Sequence, residues 1–205
     1  MSISRRGLLL GFSALLAGCA TNGPNHVANY AAIPDEKFPV PAMPLDKIKP
    51  ELRRQEVAYE TAYAPGTIVV DTPARRLYHV SGNGRAMRYG IGVGREGLAL
   101  AGNAYIGRKA EWPSWTPTQN MIRRDPRNRR YAGGVPGGLT NPLGARAIYL
   151  YRGGNDTMFR IHGTNQPQSI GLAVSSGCVR MLNHDVVDLY ERASVGGRVV
   201  VIQAA

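Results

Sequence analysis

Only two of the 205 residues are cysteine, Cys19 and Cys178, so no disulfide framework holds this chain together. Long apolar runs are equally scarce. The one near the start, Leu8 to Ala17, is too short to cross a bilayer as a helix. Acidic residues are few, 14 against 25 Lys and Arg, which leaves a net charge of +11 and a surface suited to polyanions such as anionic headgroups or a carboxylate-rich polymer. Aromatic residues make up only 7% of the chain, and none is interleaved in the densest basic run, Arg123, Arg124, Arg127, Arg129 and Arg130. That run also contains Asp125 and matches no nucleic-acid motif, so it reads as a solvated, polymer-facing loop and no nucleic-acid partner is expected. No internal repeat is visible.

Glycine and proline are abundant, at 25 and 14 residues, and so many turn formers point to a β-rich body. The length suits one domain with appendages. The first appendage, residues 1–19, has the layout of an export signal: Arg5 and Arg6, an apolar stretch, then Ala17-Gly18-Cys19. Small residues directly before a cysteine resemble a lipoprotein cleavage site. Cys19 would then be diacylated as the mature N-terminus and hold the protein on a membrane, with Ala20 after it directing it to the outer membrane. Ser4-Arg5-Arg6 also resembles a twin-arginine signal, although the Phe and Lys usual further on are missing. Residues 20–63 hold six of the prolines between Pro24 and Pro50 and read as an extended tether, with a short helix expected from Pro50 to Tyr59.

The body, residues 64–205, reads as mostly β and sandwich-like, with one or two short helices. Seven strands are expected: Thr67–Asp71, Arg75–Val80, Arg85–Val93, Ala104–Lys109, Ala145–Tyr151, Thr157–His162 and Arg198–Ile202. Ser81-Gly82-Asn83-Gly84 marks a hairpin. Residues 111–144 form a segment long enough to be a binding loop or lid. A helix is expected after Cys178, capped by Asn183, with Asp185 at the positive end of its dipole, an apolar stripe of Val186, Leu189, Tyr190 and Ala193, and an end at Gly196-Gly197.

With Cys19 assigned to lipid, Cys178 has no disulfide partner in an oxidising compartment, where an unpaired thiol invites damage unless it serves a purpose. Its setting, Val174-Ser175-Ser176-Gly177-Cys178-Val179-Arg180-Met181, is a small-residue turn. There backbone N–H groups can converge to form an oxyanion hole and lower the thiol pKa. A thiol nucleophile needs a base, and His162 stands at the end of an expected strand, where a side chain enters a site from a rigid backbone. The other histidines suit the role less: His26 is in the tether, His79 in a hairpin, and His184 at a helix start with a solvated or capping role.

His162-Gly163-Thr164-Asn165, Ser169-Ile170-Gly171 and Ser175-Ser176-Gly177-Cys178-Val179-Arg180-Met181 together closely resemble the signature of the L,D-transpeptidase (YkuD) family of peptidoglycan enzymes. The likeness extends through Tyr89 to Gly94, Ala104 to Trp115 and Asn141-Pro142-Leu143-Gly144. It implies that Cys178 attacks the carbonyl joining the third residue of a stem tetrapeptide to its terminal D-Ala, with His162 as base and the Gly163 carbonyl orienting it. Backbone N–H groups of Ser176, Gly177 and Cys178 would form the oxyanion site, and Arg180 would meet stem carboxylates. Many members carry a second histidine where this chain has Ser176, which leaves His162 as the base. The acceptor would be a neighbouring stem amine, giving a 3→3 crosslink, or an envelope protein lysine. Neither metal nor organic cofactor is implied, since a thioester already carries the activated acyl group. Two other readings stay open: hydrolysis with water as acceptor, and a non-catalytic wall-binding anchor.

Overall fold

The computed structural model describes residues 29–94, 100–175 and 177–203. The leader, Cys19, His26 and Ser176 lie outside the described residues. Eleven strands and two α-helices are present among them: β1 (Gln55–Ala58), β2 (Ile68–Asp71), β3 (Arg76–Gly82), β4 (Arg85–Gly90), β5 (Val93–Gly94), β6 (Gly102–Glu111), α1 (Gln119–Arg124), β7 (Arg146–Arg152), β8 (Asn155–His162), β9 (Ala173–Ser175), β10 (Val179–Arg180), α2 (Asn183–Arg192) and β11 (Arg198–Ile202). The mostly-β reading stands, and each of the seven expected strands has its counterpart. The four additional strands are two to four residues long and have too little alternation to stand out in sequence.

Nine strands form one mixed sheet in the order β1-β4-β3-β2-β11-β6-β7-β8-β10, while β5 and β9 pair separately. Its centre is the parallel pair β2 and β11. Ile68, Val69 and Val70 are fully buried there, as are Val199, Val200 and Val201 nearly so, which is why these strands are continuous β-branched runs without alternation. The β3–β4 turn carries Asn83 and Gly84 at φ 52° and 65°, the conformation that Asn-Gly supplies to a two-residue hairpin. The sheet returns on itself. Gly92, just beyond β4, exchanges two backbone hydrogen bonds of 2.9 and 2.8 Å with Arg180 at the opposite edge, enclosing a core of Leu77, Tyr89, Ile106, Ile148, Ile161 and Leu189.

Residues 29–58 correct the reading of an extended tether. Tyr30, Val40, Ile48 and Leu52 are buried, packing with Ile170 and Leu182 in one cluster and with Trp112 and Ala145 in another. Proline keeps this backbone extended, but an extended strap can still lay widely spaced apolar side chains into surface grooves. The expected helix from Pro50 to Tyr59 is instead a 3-10 turn over Pro50–Leu52 followed by β1, antiparallel to β4. An open strand edge offers every residue of such a short segment a hydrogen-bonding partner, whereas an isolated helix of that length repays its nucleation cost poorly.

The lid segment is not irregular throughout. Thr118 caps α1 by accepting from the Met121 N–H at 3.2 Å, and Asp125 caps a 3-10 helix over Pro126–Tyr131. The base of the lid is tied by Asn141, which is fully buried. Its amide donates to the carbonyls of Pro113, Val135 and Pro136 at 2.9–3.0 Å, and its Oδ1 accepts from Leu143 N–H at 2.8 Å.

Candidate active site

β8 and β10 run parallel, pairing Val179 with Ile161 and Arg180 with His162. Side chains alternate along a strand, so Ile161 and Val179 enter the core while His162 and Arg180 share the opposite face. Cys178, one residue before β10, comes to the same face near Arg160. His162, Cys178 and Arg180 all line one cavity of about 880 Å³, whose outer wall is the lid between Trp115 and Leu143. These three candidate residues, separated by up to 18 positions in the chain, are brought together by the tertiary structure.

His162 ends β8 and is 5% exposed. Its Nδ1 lies 2.6 Å from the Gly163 carbonyl, which can only accept, so Nδ1 carries the proton and Nε2 presents a bare lone pair. Burial pushes its pKa down to about 4; the Gly163 bond opposes this and the Arg180 and Arg160 charges add to it. The ring is therefore neutral near pH 7. Burial pushes the Cys178 thiol up, against the Arg160 backbone N–H and the Arg160 and Arg180 charges, which pull it down. The expected low-pKa thiolate is thus corrected: desolvation outweighs the convergent positive groups.

Around the thiol the backbone departs from regular strand. Thr157 to Phe159 bulge opposite Leu150, with Thr157 Oγ1 donating to the Leu150 carbonyl at 2.6 Å and Met158 at φ 65°. This bulge turns the Met158 carbonyl toward Cys178 Sγ, 4.0 Å away. Arg160 is held by a bidentate pair with Asp156 at 2.7 and 2.9 Å and stacks 4.3 Å from the Tyr149 ring centre. Gly177 is buried with φ 124°, a conformation that an L side chain strains to adopt.

Asn183 has a different task from the one its position suggests. Leu182, with no side-chain cap, precedes α2, and Asn183 Oδ1 instead accepts from the N–H groups of Ala145 and Thr164 at 3.0 and 3.3 Å. It thereby joins β7, α2 and the turn after His162. A Cβ at Gly163 would collide with that oxygen, which accounts for glycine beside the histidine. α2 also ends at Arg192 rather than at the glycine pair, its last carbonyls bound by Lys109 Nζ at 2.6 Å to Tyr190 and 2.7 Å to Ala193. His184 is not solvated: it is buried, and its Nε2 donates to the Ala31 carbonyl at 2.9 Å, tying down the N-terminal strap. His79 is buried in β3 away from the cavity.

A family model described as YkuD, the L,D-transpeptidase catalytic domain, matches residues 65–202. The chain belongs to this family. Among its YkuD relatives, "Probable L,D-transpeptidase ErfK/SrfK" of Escherichia coli K12 is 38% identical over 139 residues, covering 66% of this chain and 43% of the relative. "Probable L,D-transpeptidase YcfS" of the same organism is 30% identical over 164 residues, 78% of this chain and 48% of the relative. The chain thus spans less than half the length of these curated relatives. A solved structure from Brucella melitensis, named "Probable carnitine operon oxidoreductase caia", is 52% identical with a TM-score of 0.52, covering 76% of this chain and 96% of that one. The Ldtfm-avibactam carbamoyl enzyme shares the YkuD fold at 18% identity and a TM-score of 0.50, over 70% of this chain and 51% of its own.

Asn183, Asn141, Arg160 and the Met158 bulge are site-building residues that sequence reasoning missed. Asn141 lies in a segment that carries the family resemblance, but its carbonyl partners, Pro113 at a distance and Val135 and Pro136 nearby, are brought to it only by the folded loop. Arg160 lies within the expected strand Thr157–His162 and carries no signal there beyond its charge.

Proposed function

We propose that the protein is an L,D-transpeptidase acting through a neutral Cys178–His162 pair on peptidoglycan stem tetrapeptides. The observation that carries this reading is a buried imidazole with its proton fixed on Nδ1 by Gly163 and its free Nε2 in the same cavity as the only thiol of the body. As Sγ attacks the carbonyl before the terminal D-Ala, Nε2 takes the thiol proton, so no exposed thiolate has to persist between turnovers. The tetrahedral oxyanion sits against the backbone N–H groups of Gly177 and Cys178, with Ser176 adjoining, and Arg180 pairs with a stem carboxylate. Collapse breaks the C–N bond. Nε2 then returns the proton to the departing D-Ala amine, leaving a thioester on Cys178.

An acceptor amine attacks the thioester, gives its proton to Nε2, and the thiol is restored. The acceptor is the side-chain amine of a neighbouring stem, giving a 3→3 crosslink, or an envelope protein lysine. Neither a metal nor an organic cofactor enters any step. The export-signal layout of residues 1–19 supports an envelope location, with Cys19 lipidated and the body on the periplasmic face of the outer membrane. Incubating the protein with disaccharide tetrapeptide and analysing the products by mass spectrometry tests the reading. Crosslinked dimers lacking one D-Ala support it. Tripeptide alone points to water as acceptor, and no turnover to a wall-binding anchor. The Cys178→Ala variant is expected to form no thioacyl adduct.

A further inference from the structure

The lid displays its arginines with a period of three. Arg124 closes α1, and Arg127 and Arg130 follow in the 3-10 helix over Pro126–Tyr131. A 3-10 helix has three residues per turn, so positions three apart stack on one face. All three line the cavity that holds Cys178, whereas Arg123 and Arg129, each one position off that spacing, do not. Arg180 adds a fourth guanidinium from the floor of the cavity, partly buried and donating to the Gln166 side-chain carbonyl at 3.2 Å. Against these four cations the described cavity lining contains one carboxylate, Asp125, which is already held by Arg127 at 2.9 Å.

A cavity so strongly of one sign attracts ligands of the other and rejects neutral isosteres. We propose that Arg124 and Arg130 form an anion-reading wall through which the enzyme selects stem peptides with free carboxylates over stems in which those carboxylates are amidated. The proposal rests on the transpeptidase reading for the identity of the ligand, and on the lid geometry alone for its charge. Arginine suits the task because its planar fork meets a carboxylate with two parallel hydrogen bonds, which an amide cannot accept in the same way. The wall acts in binding: the arginines belong to the lid, away from the β8–β10 face that carries the thiol and the base.

The test compares R124Q/R130Q with R123Q/R129Q, two variants that remove the same charge from the same short helices. Two probes are used. The first is alkylation of Cys178 by anionic iodoacetate relative to neutral iodoacetamide, which needs no substrate. The iodoacetate-to-iodoacetamide rate ratio should fall severalfold in R124Q/R130Q and stay near wild type in R123Q/R129Q. The second is turnover of a tetrapeptide stem with a free diaminopimelate side-chain carboxylate and of the same stem amidated there. R124Q/R130Q should raise KM for the free acid about tenfold, leave kcat within about twofold, and remove the preference over the amide. Equal effects of the two variants, or wild-type enzyme indifferent to amidation, would overturn the proposal. If no stem is turned over at all, the enzymatic reading fails, and the alkylation ratio still decides whether the wall reads charge.

Discussion

His162 and Cys178 are each displaced from their ordinary titration by burial, in the directions that keep both neutral. For the imidazole the displacement, from 6.5 to about 4, corresponds to about 3 kcal/mol against protonation. This has a direct kinetic consequence. In the proposed mechanism a base with a pKa of about 4 stays functional well below neutrality, so kcat/KM for acylation should be level from about pH 5 to 8 and decline only as pH falls toward 4. A pH–rate profile with an acid limb near 6.5 would contradict it. Alkylation of Cys178 by iodoacetamide should in parallel report a thiol that ionises above the ordinary range. Much at this scale was legible in the sequence: a single cysteine of the body set among small residues, and a histidine at a strand end before glycine. The neutrality of the pair was not, because desolvation depends on how much of the rest of the chain covers each group. The same holds for Asn183. Its place before a helical stripe suggested a cap, yet its oxygen serves two N–H groups that reach it from positions 145 and 164.

At the scale of elements, the site rests on two short parallel strands and a lid, and the lid is only as ordered as its base. Asn141→Leu keeps the volume but takes the side-chain partner from the Pro113 and Pro136 carbonyls and the Leu143 N–H, and leaves the Val135 carbonyl only its bond from the Trp115 N–H. A loss of about 3 kcal/mol is expected. Limited proteolysis should cut first between Pro113 and Tyr131, and intact resistance there would refute the role given to Asn141. A second tie runs from the N-terminal strap. Glu36 pairs with Arg146 at 2.5 and 3.0 Å and accepts from Trp112 Nε1 at 2.8 Å. Burial alone would raise the Glu36 carboxyl, but Arg146 and Trp112 hold it below the usual range. Its contribution is therefore present above pH 4.5 and lost as pH falls through its depressed pKa. Glu36→Ala leaves the buried Arg146 with a single, more distant carboxylate among the described residues, Glu111 at 3.9 Å, beside its bond to the Ala145 carbonyl, and should cost about 3 kcal/mol in urea denaturation at pH 7. The seven principal strands were readable from alternation and turn residues. β1, β5, β9 and β10 were not, since two to four residues pair only where a neighbouring edge presents itself.

For the molecule as a whole, the boundary of the folded body lies further toward the N-terminus than composition suggests. A chain beginning at residue 64 would expose Leu182 and Ile170, which Tyr30, Ile48 and Leu52 cover. It should melt at least several degrees below one beginning at residue 29, and equal melting temperatures would show the strap to be dispensable. Two buried groups also give stability an unusual pH dependence. His162, lowered to about 4, contributes stability that is lost as pH falls from 6.5 toward 4. Asp185, raised to about 7 chiefly by burial, contributes stability that is present at low pH and lost as pH rises from 3.8 through 7. The two slopes oppose each other over the same interval. Asp185→Asn imitates the protonated acid, so it should stabilise the protein relative to wild type at pH 8 and do so less at pH 5. Thermal melts at the two pH values check this, and a larger gain at pH 5 would invert the sign argued here.

By itself the sequence determined a β-rich body, because alternation and turn residues are local properties. It also carried the resemblance to the family and marked Cys178, His162, Gly163, Gly177 and Arg180 as candidate site residues, because a thiol, a strand-end histidine and the small residues beside them occur in a recognisable order along the chain. Only the tertiary structure decided that the proline-rich segment is a strap and that Asn183 is a joint. It alone decided that burial keeps the thiol and imidazole neutral and that the lid arginines spaced three apart, Arg124, Arg127 and Arg130, line the cavity. These follow from which surfaces meet after folding, and neither burial nor facing direction is a property of a residue and its chain neighbours alone.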